Sequence, residues 1–134
     1  MAEKLLHKSN TGIASEFLVA GELARRGYNV TMTFGNTKAI DLLVEKNGKL
    51  IPVQVKGMQR KKSICWNIGL SKIKDNKVMY VLVNLNADSL ENPEYFILNE
   101  DEVKQHFKAT KSGRDYLDYN LAKKLGVQNR WEKF

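Results

Sequence analysis

Apolar residues recur near the start of the chain at Ile13, Phe17, Leu18, Ala20, Leu23 and Ala24, close to the 3.6-residue period of a helix. The spacing predicts a helix over residues 11–26. Ser9, Asn10 or Thr11 can cap its start, and Gly27 stands where a left-handed residue ends a helix. The period then drops to two. Residues 28–34 alternate β-branched or aromatic with polar side chains, which predicts a strand with one buried face. Gly35-Asn36-Thr37-Lys38 interrupts the pattern, and residues 39–45 form a second apolar run. Asn47-Gly48 is a strong two-residue hairpin turn, so residues 50–55 are expected to return as the partner strand.

Past Lys56 the chain enters a basic loop, Gln59-Arg60-Lys61-Lys62, followed by a short strand over 64–68. The unbroken apolar run from Val78 to Val83 reads as a central strand within 77–85. A loop over 86–93 leads to a strand over 94–98. Asn99 caps a helix running to about residue 107, with Glu100, Asp101 and Glu102 in the first turn, where the helix dipole favours acids. Residues 109–114 read as a polar loop, and a short helix is expected near 119–125, before a terminal segment carrying Trp131. Neither a repeat nor a linker interrupts the 134 residues, so one domain is expected over 1–134, with its core at about 11–107 and a C-terminal helical segment over 108–134. The class is α/β: a central mixed β-sheet flanked by helices.

Composition narrows the setting. Hydrophobic residues make up 43% and charged residues 28% of the chain, an ordinary globular balance. Cys65 is the single cysteine and cannot form an internal disulfide, which favours a reducing compartment. The segment 1–10 is too polar for a signal-peptide core, and no stretch approaches the roughly 20 apolar residues that span a bilayer, so a cytoplasmic protein is expected. The formal net charge of +7 and pI near 9.5 favour a polyanionic partner, nucleic acid first. His7 and His106 lack metal-ligand spacing and are expected at the surface; Trp66 and Trp131 are expected to pack. Gly12, Gly21 and Gly27 do not form a phosphate loop, and no Ser/His/Asp or Cys/His set stands out.

One constellation carries chemistry. Asp41 stands between Ile40 and Leu42, and Gln54 and Lys56 lie two apart on the next strand, so both project from one face. Counting outward from Asn47-Gly48, the hairpin brings Asp41 close to Gln54 and Lys56. Val53 and Val55 then face the core. A carboxylate among Ile40, Leu42, Leu43 and Val44 is costly to bury without a cation or a lysine beside it. Mg²⁺ takes oxygen ligands, and Asp41 and the Gln54 carbonyl are both oxygen donors. Such an ion would serve phosphodiester hydrolysis, with Lys56 placing the water or offsetting charge on the phosphate. The bland alternative is a structural Asp41–Lys56 ion pair. Arg60, Lys61, Lys62, Lys72 and Lys74 form a basic tract after this site that could hold backbone phosphates.

Asp41, the hairpin and Gln54-Val55-Lys56 resemble the PD-(D/E)xK nuclease superfamily, which includes restriction enzymes and archaeal Holliday-junction resolvases. More narrowly, Gly21-Glu22-Leu23-Ala24-Arg25-Arg26-Gly27-Tyr28, Ala39-Ile40-Asp41-Leu42-Leu43 and Val53-Gln54-Val55-Lys56 resemble a small bacterial group of endonuclease-like proteins within it. Trp66, Leu70-Ser71-Lys72 and Pro93-Glu94-Tyr95-Phe96-Ile97 are similar to that group too, so the likeness covers roughly residues 11–107. It implies a restriction-endonuclease-like fold, a Mg²⁺- or Mn²⁺-dependent DNA endonuclease, and a metal held by Glu16, Asp41 and Gln54. Glu16 follows Gly12-Ile13-Ala14-Ser15 in the position of the family's helix glutamate; Glu22 is its rival on the same helix. Ser71 enters the site only through this resemblance. Two departures stand out: Gln54 replaces the usual acid and removes a negative charge, and Ala39-Ile40 replace the proline before Asp41. The same fold without cleavage, as a DNA-binding module, is the alternative. A homodimer would suit the two strands of a duplex.

Overall fold

The computed structural model describes residues 6–33, 40–60, 65–69, 77–109 and 115–134. Helix α1 (Lys8–Arg25) begins three residues before the apolar pattern, because His7 accepts the Ser9 N–H on Nδ1 and caps the first turn at 3.3 Å. Its buried face is small and polar at the start and apolar further on. Thr11, Ser15, Val19 and Leu23 are buried, whereas Ile13 and Phe17 are 52% and 57% exposed and Leu18 lies at the surface. The helix carries apolar or small residues nearly all round, so periodicity finds a helix but does not choose its face. Close approach to the sheet chooses it, and only the small side chains of the 11–15 side permit that approach.

Strands β1 (Asn29–Met32), β2 (Leu42–Lys46), β3 (Lys49–Met58), β5 (Met79–Asn84) and β6 (Glu94–Asn99) form one sheet in that spatial order. All pairs are antiparallel except β3 with β5, which is parallel, so the sheet is mixed as the sequence suggests. Asn47 and Gly48 both adopt positive φ, 54° and 79°, as the tight β2–β3 turn requires. The turn fixes the register Leu42↔Val53 through Lys46↔Lys49. Strand β3 runs three residues beyond the expected 50–55, because Lys56, Gly57 and Met58 pair with Leu82, Val83 and Asn84 of β5.

The two sheet faces bury different clusters. On one, Val53, Val55, Val81, Val83 and Ile97 pack against Val19 and Leu23 of α1 and against Trp131. On the other, Tyr80, Leu82, Phe96 and Leu98 pack with Trp66, Leu117, Tyr119 and Ala122. These last residues belong to a second sheet, ordered β4 (Cys65–Asn67), β8 (Asp115–Asp118) and β7 (Lys108–Ala109), and to α3 (Tyr119–Lys124). The C-terminal part is therefore not wholly helical: β7 and β8 are too short to show a period in the sequence. Both tryptophans pack as expected, and Trp66 also donates its ring N–H to Val83 O at 2.9 Å. Burial, followed by the Asp118 charge, pushes the Cys65 thiol pKa up, which fits its lack of a reactive role. Among the described residues no helix is long and apolar enough to cross a membrane.

A polar network ties the C-terminal part to the main sheet. Glu94 Oε1 accepts from Asn84 Nδ2 and from the Tyr119 hydroxyl, both at 2.8 Å, and Oε2 pairs with Lys123 Nζ at 2.8 Å. Arg130 forks onto both Glu102 oxygens at 2.9 Å and onto Ile97 O, while Glu102 and Asn99 close a capping box at α2 (Glu100–His106). Burial alone would raise the Glu94 carboxyl; bonds from Lys123, Tyr119 and Asn84 outweigh it and hold the pKa below its ordinary value of 4.5. A carboxyl whose folded pKa is depressed contributes stability above its unfolded pKa and loses it as pH falls through the folded one. Glu94→Ala is expected to cost about 1–3 kcal/mol at pH 7. The deficit should shrink as urea melts are repeated below the ordinary carboxylate pKa.

Candidate active site

Asp41 stands one residue before β2, where pairing with β3 ends. Its backbone is clamped from both sides: its N–H donates to Val53 O at 2.9 Å, and its carbonyl accepts the Thr33 N–H at 2.9 Å. Its side chain takes over the ladder beyond that point, with Oδ2 accepting the Val55 N–H at 2.9 Å. Asp41 is thereby buried, at 6% exposure, and fixed against the strand that carries Gln54 and Lys56. Continuing the register by one pair sets Asp41 opposite Gln54. Gln54 and Lys56 share the face of Tyr80 and Leu82, while Val53 and Val55 turn into the α1 core, as the two-residue spacing requires.

Gln54 is 9% exposed, and its Oε1 is buried with no hydrogen-bond partner among the described residues. A buried carbonyl oxygen left unsatisfied costs about 1–3 kcal/mol. A hard cation beside the Asp41 carboxylate would satisfy it, and the donors present, carboxylate and amide oxygens, suit Mg²⁺ or Mn²⁺ rather than Zn²⁺. Among the described residues no three His, Cys, Asp or Glu side chains cluster as a metal site.

Glu16 lies on α1, the helix that packs on the Val53 and Val55 face of the sheet. Gly57 lies directly under α1: a Cβ there would stand 2.1 Å from Ser15 Oγ and 3.2 Å from Thr11 O. Ser15 Oγ in turn donates to Thr11 O at 2.7 Å, which keeps it on its own helix. Glu16, partly buried, follows Ser15 on the helix. The rival Glu22 is engaged elsewhere, paired with Arg25 and Arg26 at 2.9 and 3.3 Å. It lines a cavity of about 670 Å³ between the end of α1 and Trp131, away from Asp41, Gln54 and Lys56. Arg60 is partly buried two residues past β3. Lys61, Lys62, Ser71, Lys72 and Lys74 lie outside the described residues.

Three neighbours of this site were not legible as such. Gln59, which reads as part of a basic loop, instead grips the chain entering α1 through Leu6 N–H and Leu6 O at 2.9 and 2.8 Å. Gly57 gives no local signal, since its requirement comes from a helix distant in sequence. Tyr80 pairs with Gln54 across β3 and β5 and is the one side chain with a hydroxyl in the apolar run 78–83. Burial, reinforced by the Glu100 carboxylate, holds its hydroxyl well above the ordinary tyrosine range, so it stays neutral.

The sequence profile of a family described as PD-(D/E)XK endonuclease matches residues 6–104. No curated protein sequence matches the chain. Among solved structures, that of a bacterial homing endonuclease, I-Ssp6803I, is similar with a probability of 1.00 and a TM-score of 0.69. The match covers 96% of this chain and 91% of that one at 14% identity, a level at which the likeness speaks for the fold.

Gly57→Ala is expected to lower stability by about 1–3 kcal/mol through overpacking against α1. Adding Ser15→Ala removes the nearest atom and should recover part of that loss in thermal melts; additive losses would show that the contact is not what limits position 57.

Proposed function

The chain belongs to the PD-(D/E)XK endonuclease family, and we propose that its site hydrolyses DNA phosphodiester bonds with a bound divalent cation, Mg²⁺ or Mn²⁺. The observation that supports this most is the unpartnered, buried Gln54 Oε1 opposite the Asp41 carboxylate. In this reading Asp41 and Gln54 would hold the ion, and Glu16 is the further candidate ligand that the family resemblance adds. Such an ion, when bound, polarises a phosphoryl oxygen and lowers the pKa of water. The chain's own residues do the rest. Lys56, on the same face as Gln54, orients the attacking water and offsets the negative charge that grows on the phosphate. Water forms the new P–O bond, the ester P–O bond breaks, and the leaving oxygen departs with a proton.

Arg60, Lys61 and Lys62, with Ser71, Lys72 and Lys74, are proposed to hold the DNA backbone beside the cut. The net charge of +7 supports this, since cationic contacts release counterions from DNA. A two-fold dimer would match the two strands of a duplex. The neutral Gln54 favours one rival, a DNA-binding module that does not cut.

Supercoiled, branched and single-stranded DNA incubated with Mg²⁺ or Mn²⁺ should be cut, and EDTA should stop it. Asp41→Ala and Lys56→Ala are each expected to lose about 100-fold or more in rate. Gln54→Glu should lower the Mg²⁺ concentration for half-maximal rate by restoring a charged ligand. Equal cutting by Asp41→Ala, Lys56→Ala and the parent would sink the assignment, and DNA binding without any metal-dependent cut would favour the binding module.

A further inference from the structure

On the sheet face that carries Tyr80 and Leu82, two buried side-chain oxygens have no hydrogen-bond partner among the described residues. One is Gln54 Oε1. The other is Glu100 Oε1, on a residue only 7% exposed. Glu100 reaches this face because Leu98 pairs with Tyr80, Asn99 turns to solvent, and the chain turns back inward as α2 begins. Val103 of α2 packs in the same apolar cluster as Tyr80 and Leu98. The Glu100 carboxylate bears on the Tyr80 hydroxyl, and Tyr80 is the register partner of Gln54. Tyr80 therefore stands between the two unsatisfied oxygens.

Capping does not account for Glu100. At the start of α2, Glu102 completes the capping box and pairs with Arg130. A first-turn acid gains from the helix dipole while exposed, as Asp101 is, whereas a buried carboxylate with an unsatisfied oxygen costs more than the dipole returns. The three side chains have complementary hydrogen-bonding capacities. A carboxylate only accepts, so Glu100 can take the Tyr80 proton. A hydroxyl that gives its proton to Glu100 is left as an acceptor, and Gln54 can meet it only with its amide NH₂. Strand β3 lies between β2 and β5, so an amide nitrogen turned to Tyr80 leaves the Gln54 oxygen turned to the Asp41 side. A glutamine needs such a selector because its two ends differ; a carboxylate does not.

We propose that Tyr80 and Glu100 are positioning residues for the candidate cation site: Gln54 Nε2 donates to the Tyr80 hydroxyl, the hydroxyl donates to Glu100 Oε1, and the chain of bonds fixes Gln54 Oε1 towards Asp41. The inference rests on the reading of Asp41 and Gln54 as ligands of a divalent cation. The bonds close as the three side chains turn towards one another, and they satisfy the Glu100 oxygen while the cation satisfies that of Gln54. Burial and the Glu100 charge keep the Tyr80 hydroxyl neutral, so it retains the proton that the chain of bonds requires. Glu100 thus gives a neutral ligand the direction that an acid at position 54 would not need.

Mn²⁺ binding followed by electron paramagnetic resonance, without DNA, tests this apart from cutting. Tyr80→Phe and Glu100→Gln are each expected to bind Mn²⁺ about tenfold more weakly than the parent, the worth of one oriented hydrogen bond. In the Gln54→Glu background the same substitutions should change the affinity by less than about twofold, because a carboxylate offers an oxygen at either end. Melted without metal, Glu100→Gln should be at least as stable as the parent, since it removes a buried charge. Tyr80→Phe keeps its ring in the core and carries the test alone should Glu100→Gln fail to fold. A lower melting temperature for Glu100→Gln with unchanged Mn²⁺ binding makes Glu100 a helix-start acid and overturns the proposal. A loss of affinity that persists undiminished with Gln54→Glu also overturns it, since Glu100 then acts by charge alone. A parent that binds no Mn²⁺ removes the cation reading and this proposal with it; variants that match a binding parent remove the proposal and leave that reading standing.

Discussion

Where the antiparallel pairing of β2 and β3 runs out, Val55 gives its N–H to the Asp41 carboxylate instead of to a backbone carbonyl. Several features depend on that exchange. It lets β3 continue for residues 56–58 without β2, leaving this stretch to pair with β5 on one side. It holds an acidic side chain inside the sheet beside Gln54, where burial of a charge would otherwise be prohibitive. The backbone bonds to Thr33 and Val53 then prevent Asp41 from turning away. A ladder that continued regularly would pair the Val55 N–H with a backbone carbonyl and would leave the Asp41 carboxylate without that bond.

The helix side answers the same constraint. Strand β3 is free of β2 beyond Asp41, and α1 comes down on it at Gly57 so closely that no Cβ fits. This seating uses the small face of α1, Thr11 and Ser15, and turns Ile13 and Phe17 outward.

Much of this was legible in the sequence, and the parts that were not share a cause. Asn47-Gly48 specifies its own turn, so the alignment of Asp41 with Gln54 and Lys56 follows by counting, and the two-residue period correctly sends Val53 and Val55 to the core. The parallel pairing of β3 with β5 joins residues some 26 positions apart and has no local mark, which hid the extension of β3 and the place of Tyr80 next to Gln54. Strand β8, only Asp115–Asp118, is held by partners rather than by its own pattern. The period of α1 does not reveal its buried side, because size decides it at Thr11 and Ser15 and hydrophobicity at Val19 and Leu23. Ser15 is more useful against Gly57 than Phe17 could be.

The proposed chemistry depends on Asp41 and Gln54 together holding a divalent cation. Mn²⁺ binding followed by electron paramagnetic resonance, on the parent and on Asp41→Asn, tests it without reference to catalysis. The parent should remove Mn²⁺ from the free-ion signal at one site per chain, and Asp41→Asn, which keeps the shape but not the charge, should do so far more weakly. Equal binding by the two proteins would contradict it.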